Sequence, residues 1–126
     1  MLDASAVLAL ILEEPGAGRV LEAIEGGAEL TTANFAEVAS WYMARGASAA
    51  DLRTMRSGLP VALVDIDEDL ATRAALMFQA TRPAGLSLAD RLCLAQAQRS
   101  GQPALTADRA WLAVAGAIGV AVEVIR

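Results

Sequence analysis

Ala104-Leu105-Thr106-Ala107-Asp108 is a short apolar run that ends on an acid, immediately ahead of the helical pattern that Arg109 and Trp111 open. The same order of strand, acid and helix recurs three times upstream. Asp3 follows Leu2 and precedes the apolar run Ala6 to Leu12. Glu37 lies one turn into a segment that begins at Asn34, just after Leu30-Thr31-Thr32. Asp90 closes Ser87-Leu88-Ala89-Asp90 ahead of Leu92, Leu94 and Ala95. In an open α/β sheet, ligands bind in the crevice beyond the carboxyl ends of the strands, so acids at such junctions can converge although they lie far apart in the chain. With no histidine in the sequence to share their work, four carboxylates so placed point to a metal-dependent phosphodiesterase.

Around these junctions the chain alternates between two periodicities. Strands are expected at Leu2, Glu29–Thr31, Val61–Ile66, Ala104–Thr106 and Val120–Ile125. Helices are expected over Ser5–Glu13, Gly16–Ile24, Phe35–Arg45, Ala49–Arg56, from Asp67 to about Thr81, Leu88–Arg99 and Arg109–Ala115. Glycine and proline mark the stops: Pro15-Gly16, Gly26-Gly27, Gly46, Gly58, Pro83 and Gly85. Such alternation favours a parallel sheet with helices on both faces, that is, an α/β fold. No internal repeat, linker or low-complexity tract interrupts it.

Length and composition bound the class. A chain of 126 residues has the size of one domain over 1–126, long enough to bury a core. An apolar share of 56% excludes a disordered tail. The longest apolar stretch ends at Glu13-Glu14, far short of the roughly 18 residues a membrane span needs, and no basic residue precedes Arg19 to mark a secretory signal. A single cysteine, Cys93, cannot form an intramolecular disulfide. Together these features favour a reducing, cytoplasmic setting. The net charge of -5 argues against indiscriminate nucleic-acid binding. Four of those negative charges belong to the candidate site, where bound divalent ions would offset them.

Each acid also has a bland explanation. Asn34 with Glu37, and Ser87 with Asp90, have the spacing of capping boxes, and Asp3 and Asp108 can be helix N-caps. Caps are commoner than catalytic acids, but four at junctions shift the balance, and a cap position also fixes an acid rigidly at the crevice mouth. The chemistry agrees: magnesium and manganese favour hard oxygen ligands and need neither histidine nor cysteine. A bound ion can activate a water for in-line attack on phosphorus and neutralise the leaving oxygen.

Asp3-Ala4-Ser5, Asn34-Phe35-Ala36-Glu37, Ser87-Leu88-Ala89-Asp90-Arg91 and Leu105-Thr106-Ala107-Asp108-Arg109-Ala110-Trp111 resemble the four acidic motifs of PIN-domain ribonucleases, especially the VapC-type toxins of bacterial toxin–antitoxin pairs. The resemblance extends to the ending Ile118-Gly119-Val120 through Ile125-Arg126. It implies a PIN-like three-layer sandwich around a mainly parallel sheet of about five strands. It further implies an acidic pocket holding Mg2+ or Mn2+, endonucleolytic cleavage of RNA and a cognate antitoxin, while the many apolar residues of the helices from Ser5 to Ile24 and from Phe35 to Arg56, Leu21 and Met43 among them, predict a homodimer. Asp3, Asp90 and Asp108 would be direct or water-mediated ligands, with Glu37 a ligand or the group that orients the attacking water. One departure lies at the start: family members carry two or three more apolar residues before the first acid, whereas only Met1 and Leu2 precede Asp3. Either the first strand is short or the start codon lies upstream.

Other residues carry less. Ser5 and Thr106 are candidates to hydrogen-bond the carboxylates or a phosphate, with local backbone capping the equal alternative. Arg91 and Arg109 follow site acids and can contact an RNA backbone, but a surface ion pair is the commoner role. Cys93 reads as a core residue, since no base is present to activate it, and Trp41, Tyr42 and Trp111 as packing residues. Asp65-Ile66-Asp67 reads as a strand-to-helix junction. A receiver domain would need an early acid pair and a late lysine, and this chain has no lysine. A dinucleotide site would need a glycine-rich turn where Asp3-Ala4-Ser5-Ala6 stands. The remaining rival is a catalytically inactive PIN-like protein-interaction module whose acids serve only as caps.

Overall fold

The computed structural model describes residues 1–126. Its elements run α1 (Ala4–Ile11), α2 (Ala17–Glu25), β1 (Glu29–Thr31), α3 (Thr32–Met43), α4 (Ala49–Gly58), β2 (Ala62–Val64), α5 (Glu68–Leu76), α6 (Phe78–Thr81), α7 (Leu88–Ser100), β3 (Ala104–Thr106), α8 (Leu112–Ile118) and β4 (Val122–Val124). Short 3-10 turns at Arg82–Ala84 and Arg109–Trp111 precede α7 and α8.

All strand pairing is parallel. β1 pairs with β2, β3 pairs with β4, and Leu2 joins the two pairs by bridging Leu30 on one side and Leu105 on the other. The sheet order is therefore β2-β1-Leu2-β3-β4, five strand positions of which the central one is the shortest. Three backbone hydrogen bonds secure it: Leu2 N to Glu29 O at 2.8 Å, Asp3 N to Leu105 O at 3.0 Å and Leu105 N to Met1 O at 2.8 Å. The expected first strand is thus present, and short.

Side chains of the central strands alternate between two cores, as a pleated sheet requires. Leu2, Leu30 and Leu105 face α1, α2 and α3, where Val7, Val20 and Val38 are fully buried. Met1 and Ala104 face α5, α7 and α8, where Leu70, Leu94 and Trp111 close the core. Helices on both faces of a parallel sheet make the three-layer α/β arrangement expected of the sequence. α4 contributes no buried residue of its own and packs through the partly buried Met55.

Local differences from the expected boundaries have physical causes. α3 begins at Thr32 rather than Phe35 because Thr31, the last residue of β1, is itself the N-cap, accepting from Asn34 N at 3.1 Å. The Asn34–Glu37 capping box is therefore absent: Asn34 lies inside the helix. The expected helix to Thr81 breaks at Met77 into α5 and α6, with the Met77 side chain buried in the core. The Ser87–Asp90 capping box forms as expected, and Asp67, at the strand-to-helix junction, caps α5 by accepting from Leu70 N at 2.8 Å. No helix is long and apolar enough to cross a membrane.

Candidate active site

Carboxylate oxygens of Asp3, Glu37 and Asp90 lie within 4.8 Å of one another, although the residues come from three separate stretches of chain. The fold brings them together from three helix starts at the carboxyl edge of the sheet. Asp3 caps α1, Glu37 stands on the second turn of α3, and Asp90 completes the capping box of α7.

Asp3 is the anchor. It is buried, and its Oδ1 accepts from Ala4 N at 2.7 Å while Oδ2 accepts from Ser5 Oγ at 2.5 Å and Thr106 Oγ1 at 2.9 Å. The two hydroxyls are held in turn by backbone amides: Ala107 N donates to Ser5 Oγ and Asp108 N to Thr106 Oγ1. Ser5 and Thr106, proposed from sequence as supports, thus support the same carboxylate from opposite ends of the chain. Asp90 commits Oδ2 to Ser87 N at 2.7 Å. Glu37 is the most open of the three and accepts from Asn34 Nδ2 at 3.4 Å.

Burial and mutual repulsion act in one direction on all three. Desolvation is the main cause that raises Asp3 above the ordinary carboxylate value, the Asp90 charge adding to it against the pull of Ser5 and Thr106. Glu37 is raised first by burial and then by the charges of Asp3 and Asp90. Asp90 is raised by burial and by Asp108, opposed by its bonds to Ser87 and by Arg91. Acids crowded in this way favour protons or a cation over three bare charges. Three oxygen donors with no nitrogen or sulfur among them fit Mg2+ or Mn2+.

Asp108, the fourth sequence-derived acid, is exposed and outside this group. Its Oδ1 accepts from Ala110 N at 2.8 Å and caps the turn before α8, and it reaches the trio through the charge that Asp90 feels. Neither Arg91 nor Arg109 forms the surface ion pair expected of it. Arg91 donates to Leu86 O at 3.3 Å with its guanidinium 5.1 Å above the Phe78 ring, and Arg109 donates to Arg126 O at 3.3 Å. Cys93 is fully buried and burial pushes its thiol well up, as a core residue requires. Trp111 is fully buried, while Trp41 packs edge-on against Tyr42 with Arg45 over its face.

One residue of the site was not legible as such. Asn34 is fully buried beneath the trio and touches two of its members. The available signal was the spacing Thr31, Asn34, Glu37, which places three polar residues in one row at the start of a helix.

With this geometry in hand, comparison with known proteins is decisive about the family. The family model for the PIN domain matches residues 1–117. The chain belongs to the PIN domain family. A solved structure described as a toxin-antitoxin complex from Klebsiella pneumoniae contains a chain similar to this PIN domain, with a TM-score of 0.77 at 20% identity, covering 99% of this chain and 96% of that one. At that identity the likeness speaks to the fold. Among curated proteins, no sequence matches this PIN domain.

Proposed function

We propose that this PIN domain is the toxin of a toxin–antitoxin pair, an endoribonuclease that hydrolyses RNA phosphodiester bonds with Mg2+ or Mn2+. The observation that carries the reading is the convergence of Asp3, Glu37 and Asp90. PIN domains are generally nucleases and typically bind divalent metals, and the similar fold in a toxin–antitoxin complex supports an antitoxin as the protein partner.

Asp3, Glu37 and Asp90 would hold the cation. When bound, the cation supplies Lewis acidity at the phosphodiester and neutralises charge on the leaving oxygen. Asp3 contributes a carboxylate that cannot swing, because hydroxyls from both ends of the chain grip it. Asp90 keeps Oδ1 free while Oδ2 serves the helix, so one side chain both caps and presents an oxygen. Glu37, the most open acid, would orient the attacking water. Asp108 adds its charge at the rim, and Arg109 beside it is available to an RNA phosphate.

Purified protein should cleave single-stranded RNA in millimolar Mg2+ or Mn2+ and be silent in chelator, and the same ions should raise its melting temperature by mass action. No cleavage and no thermal shift with either ion would defeat the nuclease and leave the interaction module as the surviving reading.

A further inference from the structure

Thr31 and Asn34 form a polar pair beneath the acids that helix capping alone does not explain. Capping of α3 needs only the bond from Asn34 N to Thr31 Oγ1. The Thr31 hydroxyl makes a second bond, donating its proton to Asn34 Oδ1 at 2.5 Å. That bond fixes the orientation of the side-chain amide, since the carbonyl must face the hydroxyl and the NH2 must face the other way. On that other side stand three acceptors: Asp3 Oδ1 at 3.3 Å, Glu37 Oε2 at 3.4 Å and Ala89 O at 3.4 Å. The reversed amide would set its oxygen against all three, so the orientation is determined twice over.

Asn34 and Thr31 are both fully buried, and a buried amide is placed at a cost unless its groups are satisfied. Here the amide is satisfied only because the acids converge on it. Ala89 O belongs to the residue next to Asp90, so one NH2 group touches the neighbourhood of all three acids. It is a neutral donor: it draws Asp3 and Glu37 inward without adding a charge that would compete with a cation. The bonds are long, as expected of a donor shared among several acceptors.

We infer that Asn34 is a positioning residue for the acidic trio, its amide aimed by the Thr31 hydroxyl so that the Asp3 and Glu37 carboxylates converge before any cation arrives. The inference rests on the nuclease reading, in that it assigns the trio to cation binding. It adds a role for two residues that ligate nothing themselves. Outer groups that orient metal ligands change affinity by about tenfold to a hundredfold when removed.

The test is calorimetric titration of Mg2+ and Mn2+ into wild type, Asn34→Ala and Thr31→Val, each well below its own melting temperature, beside melting of the metal-free proteins. Thr31→Val leaves Asn34 in place and removes only the hydroxyl that aims it. Asn34→Ala should weaken both cations by at least about tenfold, and Thr31→Val should weaken them by a smaller factor in the same direction. A purely structural role would lower the melting temperature and leave the affinity of the folded variant unchanged, which would overturn the inference. Should Asn34→Ala fail to fold, Thr31→Val decides by the same criterion. If wild type itself binds neither cation, the nuclease reading fails first, and that outcome is distinct from variants that bind as tightly as wild type.

Discussion

Five donors crowd onto the two oxygens of Asp3: Ala4 N, Ser5 N, Ser5 Oγ, Thr106 Oγ1 and Asn34 Nδ2. Even so, burial leaves the acid raised, and Glu37 and Asp90 are raised with it. A raised carboxylate in the folded chain holds a proton that the unfolded chain has already released, so stability falls as pH rises. Its contribution is complete below the unfolded value, about 4, and is lost as pH climbs through the folded values. Asp51, Asp67 and Asp69 oppose this trend, since hydrogen bonds lower them and their contribution is lost as pH falls. Asp90→Asn isolates the site's share. The amide oxygen of asparagine can still accept from Ser87 N and keep the capping box, while one repulsive charge is gone. Metal-free Asp90→Asn should therefore be at least as stable as wild type at neutral pH, with a shallower loss of stability above about pH 4, and the proposed cleavage of RNA should fall by orders of magnitude. Melting curves in chelator across pH, beside a cleavage assay, check both halves. A variant that melts much earlier makes Asp90 structural, and one that keeps full activity removes it from the site.

At the scale of elements, the sequence marked those whose ends carry their own chemistry. Ser87 with Asp90 at α7 and Asp67 at α5 announced their helices through side chains that satisfy free amides. The junction of β1 with α3 was harder to see, because Thr31 ends the strand and caps the helix at once, leaving no loop residue between them. The break at Met77, where ψ turns to -7° with the side chain buried, had no glycine or proline to announce it. The C-terminal strand is pinned from the α1–α2 corner. Arg19 grips Glu123 with Nε at 2.6 Å and Nη2 at 2.8 Å, and Arg126 pairs with Glu14. Gly16 allows this approach: its φ is +98°, and a Cβ there would lie 2.5 Å from Ile125 O. Gly16→Ala should cost about 2 kcal/mol and lower the melting temperature by roughly 8 °C, measured calorimetrically. An unchanged melting temperature would show that the corner can relax away from β4. The Arg19–Glu123 pair is partly exposed, and its loss should matter less.

Over the whole molecule, the α/β alternation and all three converging acids could be read from the chain, because strand ends and helix starts dictate both. Two things could not. Asp108 follows the same local pattern yet stands outside the trio, its Oδ1 capping its own turn, and only the assembled fold reveals Asn34 beneath the acids. The surface carries a further implication. Leu21 and Met43, on α2 and α3 on one side of the sheet, are 45% and 49% exposed, while Leu76 and Leu88, on α5 and α7 on the other, are 79% and 58% exposed. We expect a homodimer with an antitoxin segment covering part of what remains. Light scattering over a range of concentrations should give twice the 13.0 kDa chain mass, and a strict monomer at high concentration would defeat the dimer.

The narrow centre of the sheet has an entropic meaning as well. Joining Leu2 to Leu105 closes nearly the whole polypeptide into one loop, since Asp3 and Thr106 are 103 residues apart. Loop-closure cost grows with the logarithm of length, so this closure costs about 1.5 kcal/mol more than the short one between β3 and β4. What offsets it is concentrated in very few residues: Leu2 in the core, and the hydroxyls of Ser5 and Thr106 meeting on the Asp3 carboxylate. The polar groups that hold the Asp3 carboxylate therefore also act as the clasp of the chain, and a change at Ser5, Thr106 or Asp3 loosens a tether between the molecule's two ends as well as the acidic cluster.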